Sequence, residues 1–212
     1  MPQVIDMSHS QAQSDVTPDE ALQRLIDGNK RFLKGFDSPD SFQYQDLRIR
    51  HQQHPYACIL GCSDSRVSPE HTFDESHGNL FVARVAGNFI TPEILASLEY
   101  GTSVLGASII LVLGHSGCGA VHATIDAVST QAKFEGQIGQ LIQSIEPAVT
   151  VTRHADPETW MNNAVHQNVC RNVQLLRQSE PIIGGLIRAG RLKVAGGIYN
   201  LHTGEVQILE DL

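Results

Sequence analysis

Short apolar segments with the composition of β-strands alternate with helix-start signals along this chain, and no other feature of the sequence constrains the fold as strongly. Strands are predicted over residues 56–61, 80–84, 108–114, 192–199 and 205–209. The third segment, SIILVLG, is apolar on both faces, which is typical of a buried parallel strand. The last segment follows a turn and is predicted to be an edge strand.

Helix starts are marked by a capping side chain followed by Pro and an acidic residue. In Thr17-Pro18-Asp19-Glu20, Thr stands at the N-cap, Pro at N1 and Glu at N3. Further helices are predicted over residues 91–105, 119–128, 156–178 and 179–189. Apolar strands that alternate with capped helices predict an α/β fold: a central, mainly parallel β-sheet flanked by helices, with an N-terminal helical arm.

The domain organisation follows from length and local composition. A chain of 212 residues suits one domain with a terminal extension. Residues 1–16 are polar and aperiodic, and are predicted to form a flexible N-terminal arm. Residues 17–212 are predicted to form a single domain. Within it, residues 35–54 are polar and rich in turn-forming residues, which indicates a long loop or a short extra helix.

Composition excludes several classes of protein. Because 41% of residues are hydrophobic and only 18% are charged, wholesale disorder is excluded, and part of the surface is expected to be covered by a partner subunit. A net charge of −8 argues against a nucleic-acid partner. The strongly apolar run 107–113 is too short to span a bilayer, and the first 20 residues lack a secretory signal. We therefore expect a cytoplasmic protein with no membrane partner.

Cysteine and histidine directly follow two of the predicted strands. Cys62 comes after the first strand, and His115 and Cys118 come after the third. Sites in parallel α/β sheets form at the carboxyl ends of strands, so these three side chains meet if the two strands are neighbours. Two thiolates and one imidazole suit Zn²⁺, and three protein ligands leave the fourth tetrahedral position open, as in a catalytic zinc site.

The other two cysteines are not obvious ligands. Cys58 lies four residues before Cys62 in the same predicted strand, about 13 Å away, and Cys170 lies in the middle of a predicted helix. An even number of cysteines is also compatible with two disulfides. Without a secretory signal, metal binding or catalysis is the better interpretation.

Two charged residues follow Cys62 on the same loop. Asp64 is placed to accept a hydrogen bond from water at an open zinc position or to bind the metal itself, and Arg66 would orient that carboxylate and keep it ionised. The alternative is an ordinary salt bridge within the loop. From these residues alone, the prediction is a zinc-activated hydrolase or hydratase.

Three motifs carry a resemblance to a known family: CSDSRV at 62–67, FVAR at 81–84 with AGN at 86–88, and HSGCGA at 115–120. In their order and spacing they resemble the β-class carbonic anhydrases, specifically the plant-type, open-site branch in its bacterial form. The resemblance extends from about residue 17 to the C-terminus. It implies reversible hydration of carbon dioxide to bicarbonate and a proton.

The family resemblance also assigns the metal site. One Zn²⁺ per chain is held by Cys62, His115 and Cys118, and zinc-bound hydroxide attacks CO₂. Asp64, held by Arg66, orients that hydroxide and helps to move protons. In some members the equivalent Asp swings onto zinc as a fourth ligand, which closes the site at low pH.

The resemblance further implies a substrate pocket formed by Gln53, Phe81, Tyr100 and Gly119. Gln53 would donate to a bicarbonate oxygen, while the two aromatic rings keep the CO₂ site apolar. Plain core packing of the rings and a solvated Gln53 are the alternatives.

A second branch of the family has an inhibitory bicarbonate site made of Trp, Arg and Tyr. Arg84 and Tyr199 match two of these positions, but Ile59 stands where the Trp would be. The open type is therefore predicted.

Family members form homodimers, or dimers of dimers, in which the arm embraces the neighbour and the pocket borrows residues across the interface. Three alternative functions remain. The first is hydrolysis of carbonyl sulfide or carbon disulfide on the same fold, which substrate kinetics would reveal. The second is a catalytically silent zinc-binding assembly module, for instance in a carboxysome shell. The third is a redox sensor that uses Cys58 or Cys170 and responds to oxidants.

Overall fold

The computed structural model describes residues 15–35, 53–154 and 156–210. In these ranges the chain forms five strands: β1 (Ala57–Gly61), β2 (Leu80–Arg84), β3 (Ile109–His115), β4 (Lys193–Tyr199) and β5 (Val206–Ile208). The same ranges contain seven helices: α1 (Pro18–Leu33), α2 (Pro69–Thr72), α3 (Pro92–Ser103), α4 (Gly119–Thr130), α5 (Ile138–Val151), α6 (Pro157–Arg177) and α7 (Ile182–Arg188).

The strands form one sheet in the order β2-β1-β3-β4-β5. β1 pairs in parallel with β2 and β3, and β3 pairs in parallel with β4. β5 is antiparallel to β4 and lies at one edge, as predicted. Because Gly61 of β1 is in register with Leu113 of β3, the carboxyl ends of these two neighbouring strands lie side by side. The predicted α/β fold is confirmed.

Both faces of the sheet are buried. Along β1, Cys58 and Leu60 point to one apolar core, whereas Ala57 and Ile59 point to the other. The seven residues of β3 are all buried, which agrees with the unbroken apolar pattern of this segment. Since neither face meets water, the functional groups at the end of β3 are held on a rigid support.

The capping signals in the sequence begin the helices where expected. The Thr17 side chain accepts a hydrogen bond from the Glu20 N–H, and the Glu20 carboxylate accepts one from the Thr17 N–H, so α1 begins with a capping box. Asp156 caps α6 by accepting from the Glu158 N–H. α1 packs on the sheet of its own chain through Ala21 and Leu25. None of the described helices combines the length and the apolar character needed to cross a membrane.

Some elements differ from the sequence-based predictions. α5 was not predicted: it has no side-chain cap and contains Pro147, although its buried residues Ile142, Ile145 and Val149 follow a helical period. α7 begins at Ile182 instead of residue 179. The predicted arm at 1–16 and the predicted loop at 35–54 fall almost wholly outside the described residues, so they stay predictions, as does the single domain.

Candidate metal centre

The three predicted ligands meet at the carboxyl edge of the sheet. Cys62 directly follows β1, His115 is the last residue of β3, and Cys118 is the N-cap of α4. Gly117, at φ 63°, takes the left-handed conformation that turns the chain between His115 and Cys118. The ligand atoms of the three residues all lie within 4.8 Å of one another, so the predicted cluster is present.

The His115 imidazole is oriented for metal binding. The side chain is fully buried, and its Nδ1 lies 3.0 Å from the Ser116 carbonyl oxygen. A carbonyl only accepts, so Nδ1 carries the proton and Nε2 presents its lone pair. Within the described part of the chain Nε2 makes no hydrogen bond. A buried, unpaired nitrogen beside two sulfurs is costly unless a cation binds it.

The donor set and its spacing fit zinc. The sulfurs of Cys62 and Cys118 lie 3.9 Å apart. Two thiolates on one tetrahedral Zn²⁺, each at about 2.3 Å, would lie about 3.8 Å apart. Cys58 is fully buried in the core beneath β1, and Cys170 lies on α6 with its sulfur 3.4 Å from Nδ1 of His166. Neither belongs to the cluster, in agreement with the prediction.

The electrostatics of the cluster favour a thiolate at Cys62. The adjacent Cys118 thiol lowers the pKa of Cys62, with help from the Gly87 N–H and against the effect of burial. The same pairing raises the pKa of Cys118, so the metal-free pair shares one negative charge. Burial opposes protonation of His115, but the neighbouring Cys62 sulfur raises its pKa overall. A dication would displace the remaining thiol proton.

Asp64 and Arg66 form the predicted pair at the edge of the cluster. The Arg66 Nε and one Nη donate to the two oxygens of the Asp64 carboxylate at 2.9 and 2.7 Å, and the Arg66 backbone N–H also donates to Oδ1. These bonds hold the pKa of Asp64 well below its usual range. Asp64 Oδ2 lies 3.9 Å from His115 Nε2, which places the ionised carboxylate beside the potential metal position.

Arg84 supports the loop that carries Cys62 and Asp64. Its guanidinium donates to the carbonyl oxygens of Cys62, Asp64 and Val67 at 2.9, 2.7 and 2.8 Å. Arg84 is the register partner of Gly61, which explains why it reaches this loop. The resemblance matched Arg84 to a position of the bicarbonate site in the other branch, and no local pattern revealed that it braces the backbone.

A backbone contact to the Cys62 sulfur was also not predicted. The Gly87 N–H donates to Cys62 Sγ at 3.2 Å, and the Gly87 carbonyl accepts from the buried Asn168 amide at 2.8 Å. Gly87 has φ 86°, and a Cβ added there would lie 2.5 Å from a methyl carbon of Ile145. The AGN motif was the available signal, because a glycine in a fixed motif often marks such a close approach.

The predicted substrate residues divide into two groups within one chain. Gly119 adjoins Cys118, and a Cβ built on it would meet no heavy atom within 4 Å, so the space beside it is open. Phe81 of β2 is in register with Cys58 of β1. Cys58 lies four residues, or about 13 Å, before Cys62, so Phe81 is far from the predicted metal ligands of its own chain. Tyr100 packs against Phe81 with ring centroids 6.2 Å apart and is 46% exposed. Gln53 is exposed and precedes the amino end of β1.

A cleft of about 1260 Å³ opens beside the cluster. Arg66, Gly117 and Tyr199 are among the residues that line it. Tyr199 is itself buried and is the register partner of His115 on β4. The cleft therefore borders the side of the cluster that carries Arg66, and Cys62, His115 and Cys118 are not among its described lining residues.

Comparison with known proteins agrees with this geometry. Residues 57–206 match the family model described as carbonic anhydrase. A carbonic anhydrase of Mycolicibacterium smegmatis is 33% identical over 196 residues, which cover 92% of this chain and 95% of that protein. Carbonic anhydrase 2 of Mycobacterium tuberculosis is 34% identical over 199 residues, which cover 93% of this chain and 95% of its relative.

Solved structures give the same result. The β-carbonic anhydrase CcaA superimposes with a TM-score of 0.71 at 31% identity, covering 88% of this chain and 94% of its own. A Coccomyxa β-carbonic anhydrase, solved in complex with acetazolamide, gives a TM-score of 0.70 at 27% identity, covering 89% and 86% of the two chains. The chain therefore belongs to the β-class carbonic anhydrases, the enzymes that hydrate carbon dioxide to bicarbonate.

Proposed function

We propose that this carbonic anhydrase is zinc-dependent and that Cys62, His115 and Cys118 hold one Zn²⁺ per chain. The observation that carries the proposal is the buried Nε2 of His115, which is unpaired in the described part of the chain and lies beside two sulfurs 3.9 Å apart. When bound, zinc supplies a Lewis acid that makes water a nucleophile near neutral pH. The open space beside Gly119 leaves room for a small substrate.

Asp64 has the position and charge of a hydrogen-bond acceptor for water. Because its pKa is held well below the usual range by Arg66, the carboxylate is ionised at neutral pH and accepts hydrogen bonds. Its two contacts with Arg66 fix its orientation 3.9 Å from Nε2 of His115, beside the proposed metal position. Asp64 accepts a hydrogen bond from the attacking water and so orients it, while Arg66 holds Asp64 in place.

The metal assignment is tested by ligand substitution. Cys62→Ser, His115→Asn and Cys118→Ser each remove one donor, and we expect each variant to bind less than one zinc per chain and to lose CO₂ hydration. Cys58→Ala is the matched control, because Cys58 lies in the same strand but in the apolar core. The proposal fails if a ligand variant retains full zinc content and activity, or if Cys58→Ala loses zinc as readily.

The apolar part of the substrate pocket comes from a second copy of the chain. In a single chain, Gln53, Phe81 and Tyr100 lie towards the amino end of β1 and β2, whereas the metal ligands lie at the carboxyl end. They can line a metal site only if it belongs to a neighbour. The chain therefore acts as a homodimer or a dimer of dimers; two β-carbonic anhydrases of Sordaria macrospora that share the fold are tetrameric.

Mixed dimers test this assignment. Cys118→Ser removes a metal ligand but keeps Gln53. Gln53→Ala removes the Gln53 side chain but keeps all three metal ligands. If the pocket is shared, a mixed dimer of the two variants contains one complete site, so co-refolding the inactive parents restores up to about a quarter of the wild-type activity per chain, as random pairing predicts. If each site is built within one chain, mixing restores nothing, and the shared pocket is refuted.

The site is of the constitutively open type. Ile59 is fully buried in β1 at the position where the other branch has Trp, and Arg84 is bound to loop carbonyls. A bicarbonate site made of Trp, Arg and Tyr therefore lacks one member. We expect hydration to decline in simple competition with added bicarbonate, and a cooperative inhibition curve would contradict this.

A further inference from the structure

Helix α6 reaches the metal centre through one buried amide. Asn168 lies on α6, is 1% exposed, and donates from Nδ2 to the Gly87 carbonyl at 2.8 Å. Gly87 in turn donates its N–H to Cys62 Sγ at 3.2 Å. An N–H donor stabilises negative charge on sulfur, so this bond acts directly on one of the three predicted ligands.

The surroundings of Asn168 hold its amide in this orientation. Nδ2 of Asn172, one helical turn later, donates to the Asn168 carbonyl at 2.8 Å and more weakly to its Oδ1 at 3.3 Å. Oδ1 of Asn172 accepts from the Ile90 N–H at 3.0 Å, which ties the far end of the same loop to α6. Buried amides in such a network are costly unless every polar group is paired.

Gly87 is held from other directions as well. Its φ of 86° lies in the left-handed region, and the space where a side chain would stand is filled by Ile145 of α5 and Ala120 of α4. This packing limits how far Gly87 can move, but it does not set the direction in which the Gly87 N–H points. The hydrogen bond from Asn168 to the Gly87 carbonyl restricts rotation of the backbone at Gly87, and so helps to keep the N–H pointing at Cys62 Sγ.

We infer that Asn168 is a positioning residue for the metal centre: through Gly87 it aims an N–H donor at Cys62 Sγ. Among the described residues, Asn168 makes no hydrogen bond to a ligand side chain and does not line the cleft. The inference rests on the proposed zinc site, since the Cys62 sulfur matters to catalysis only as a ligand. It assigns to α6 a role in tuning the thiolate, beyond its packing against β3.

Two variants and one control separate positioning from simple packing. Asn168→Leu and Asn168→Ala remove the donor to Gly87. Val173→Ala removes two methyl groups from the same helix, where Val173 is fully buried in a core remote from the ligands. In the cobalt-substituted proteins, loss of the N–H donor raises the energy of the sulfur electrons, so the sulfur-to-cobalt charge-transfer band shifts to longer wavelength.

We expect both Asn168 variants to show this shift and to bind zinc about 10-fold or more weakly in competition with a chelator. Val173→Ala should lower the melting temperature without moving the band. If the Asn168 variants keep the wild-type band and affinity, or if Val173→Ala changes them equally, the inference is overturned.

A measurement on the unmodified protein does not depend on the variants folding. In ¹⁵N-labelled protein loaded with ¹¹³Cd, a hydrogen bond from Gly87 to a metal-bound sulfur transmits a scalar coupling between ¹¹³Cd and the Gly87 amide proton. We expect that coupling to be present. If cadmium binds and the coupling is absent, this inference fails; if neither cadmium nor cobalt binds at Cys62, His115 and Cys118, the proposed metal site fails instead.

Discussion

The Arg66 guanidinium contacts both oxygens of the Asp64 carboxylate, and that carboxylate lies 3.9 Å from Nε2 of His115. This salt bridge lies within the loop after β1, and the carboxylate that it orients approaches the end of β3. It holds a negative charge at the edge of the cluster of Cys62, His115 and Cys118. Because two parallel bonds define the plane of the carboxylate, the pair sets orientation as well as charge.

Replacing Asp64 tests its assignment as the hydrogen-bond acceptor that orients the attacking water. Asp64→Asn has nearly the same shape but carries no charge, so we expect kcat/KM for CO₂ hydration to fall about 100-fold or more, with zinc content unchanged. Arg66→Lys keeps the positive charge but loses the two-point contact with Asp64. For this variant we expect a smaller fall in kcat/KM, about 10-fold. Stopped-flow kinetics with metal analysis measures both. Wild-type rates for Asp64→Asn would exclude a role for the carboxylate in the reaction.

Metal removal should destabilise the fold as well as stop the reaction. The ligands lie on two separate segments, the loop after β1 and the turn between β3 and α4, so an ion that binds them only in the folded state stabilises that state. We expect chelation to lower the melting temperature of the wild-type protein and added zinc to restore it. Cys118→Ser should melt at the same temperature with or without chelator. A wild-type melting temperature that is indifferent to chelation would contradict a bound metal.

Stability at alkaline pH depends on Tyr56. Burial, together with the nearby Glu75 carboxylate to which the hydroxyl donates at 2.9 Å, raises the pKa of Tyr56 far above its ordinary value. The ordinary value of about 10 applies in the unfolded chain. The stabilising contribution is therefore fully present below about pH 10 and is lost as the pH rises towards the folded-state pKa.

Comparison with Tyr56→Phe isolates this effect. At neutral pH the variant is less stable, because Glu75 loses a donor. As the pH rises above about 10, the difference in the free energy of unfolding between wild type and variant should shrink. The reason is that Tyr56 ionises in the unfolded wild-type chain, which stabilises the unfolded state, whereas the phenylalanine of the variant cannot ionise. Urea unfolding of both proteins at neutral and alkaline pH measures the difference. An advantage that stays constant or grows with pH would refute the assignment.

Close packing of α6 on the end of β3 leaves no space for a side chain at Gly114. A Cβ added there would lie 2.6 Å from a methyl carbon of Val169, so Gly114→Ala should lower the free energy of unfolding by about 1–3 kcal/mol. Gly185, on α7, has no heavy atom within 4 Å of an added Cβ. Gly185→Ala should therefore raise stability by up to about 1 kcal/mol. Equal effects of the two substitutions in chemical unfolding would show that the packing at Gly114 is looser than described.

Local patterns in the sequence were sufficient to predict the sheet and the meeting of Cys62, His115 and Cys118. The unbroken apolar run of β3 indicated burial on both faces, which is typical of a parallel strand. Cys62 and His115 could be brought together because each directly follows a buried strand. The capping box at Thr17 and Glu20 gave the start of α1.

Contacts between distant segments left no local pattern. Asn168 and Gly87 are 81 residues apart, and nothing near either residue indicates that they meet. The brace from Arg84 to the loop at 62–67 likewise depends on strand register. For the predicted substrate residues Gln53, Phe81 and Tyr100, the direction of β1 in the structure shows that they lie apart from Cys62, His115 and Cys118 of their own chain. The cytoplasmic location stays a prediction.

The most direct test of the account is stopped-flow CO₂ hydration between about pH 6.5 and 9, on protein whose zinc content has been measured. We predict fast hydration that rises with pH and requires one zinc per chain. Full zinc occupancy with no hydration across this range would contradict the account, and carbonyl sulfide turnover would then be the next activity to measure.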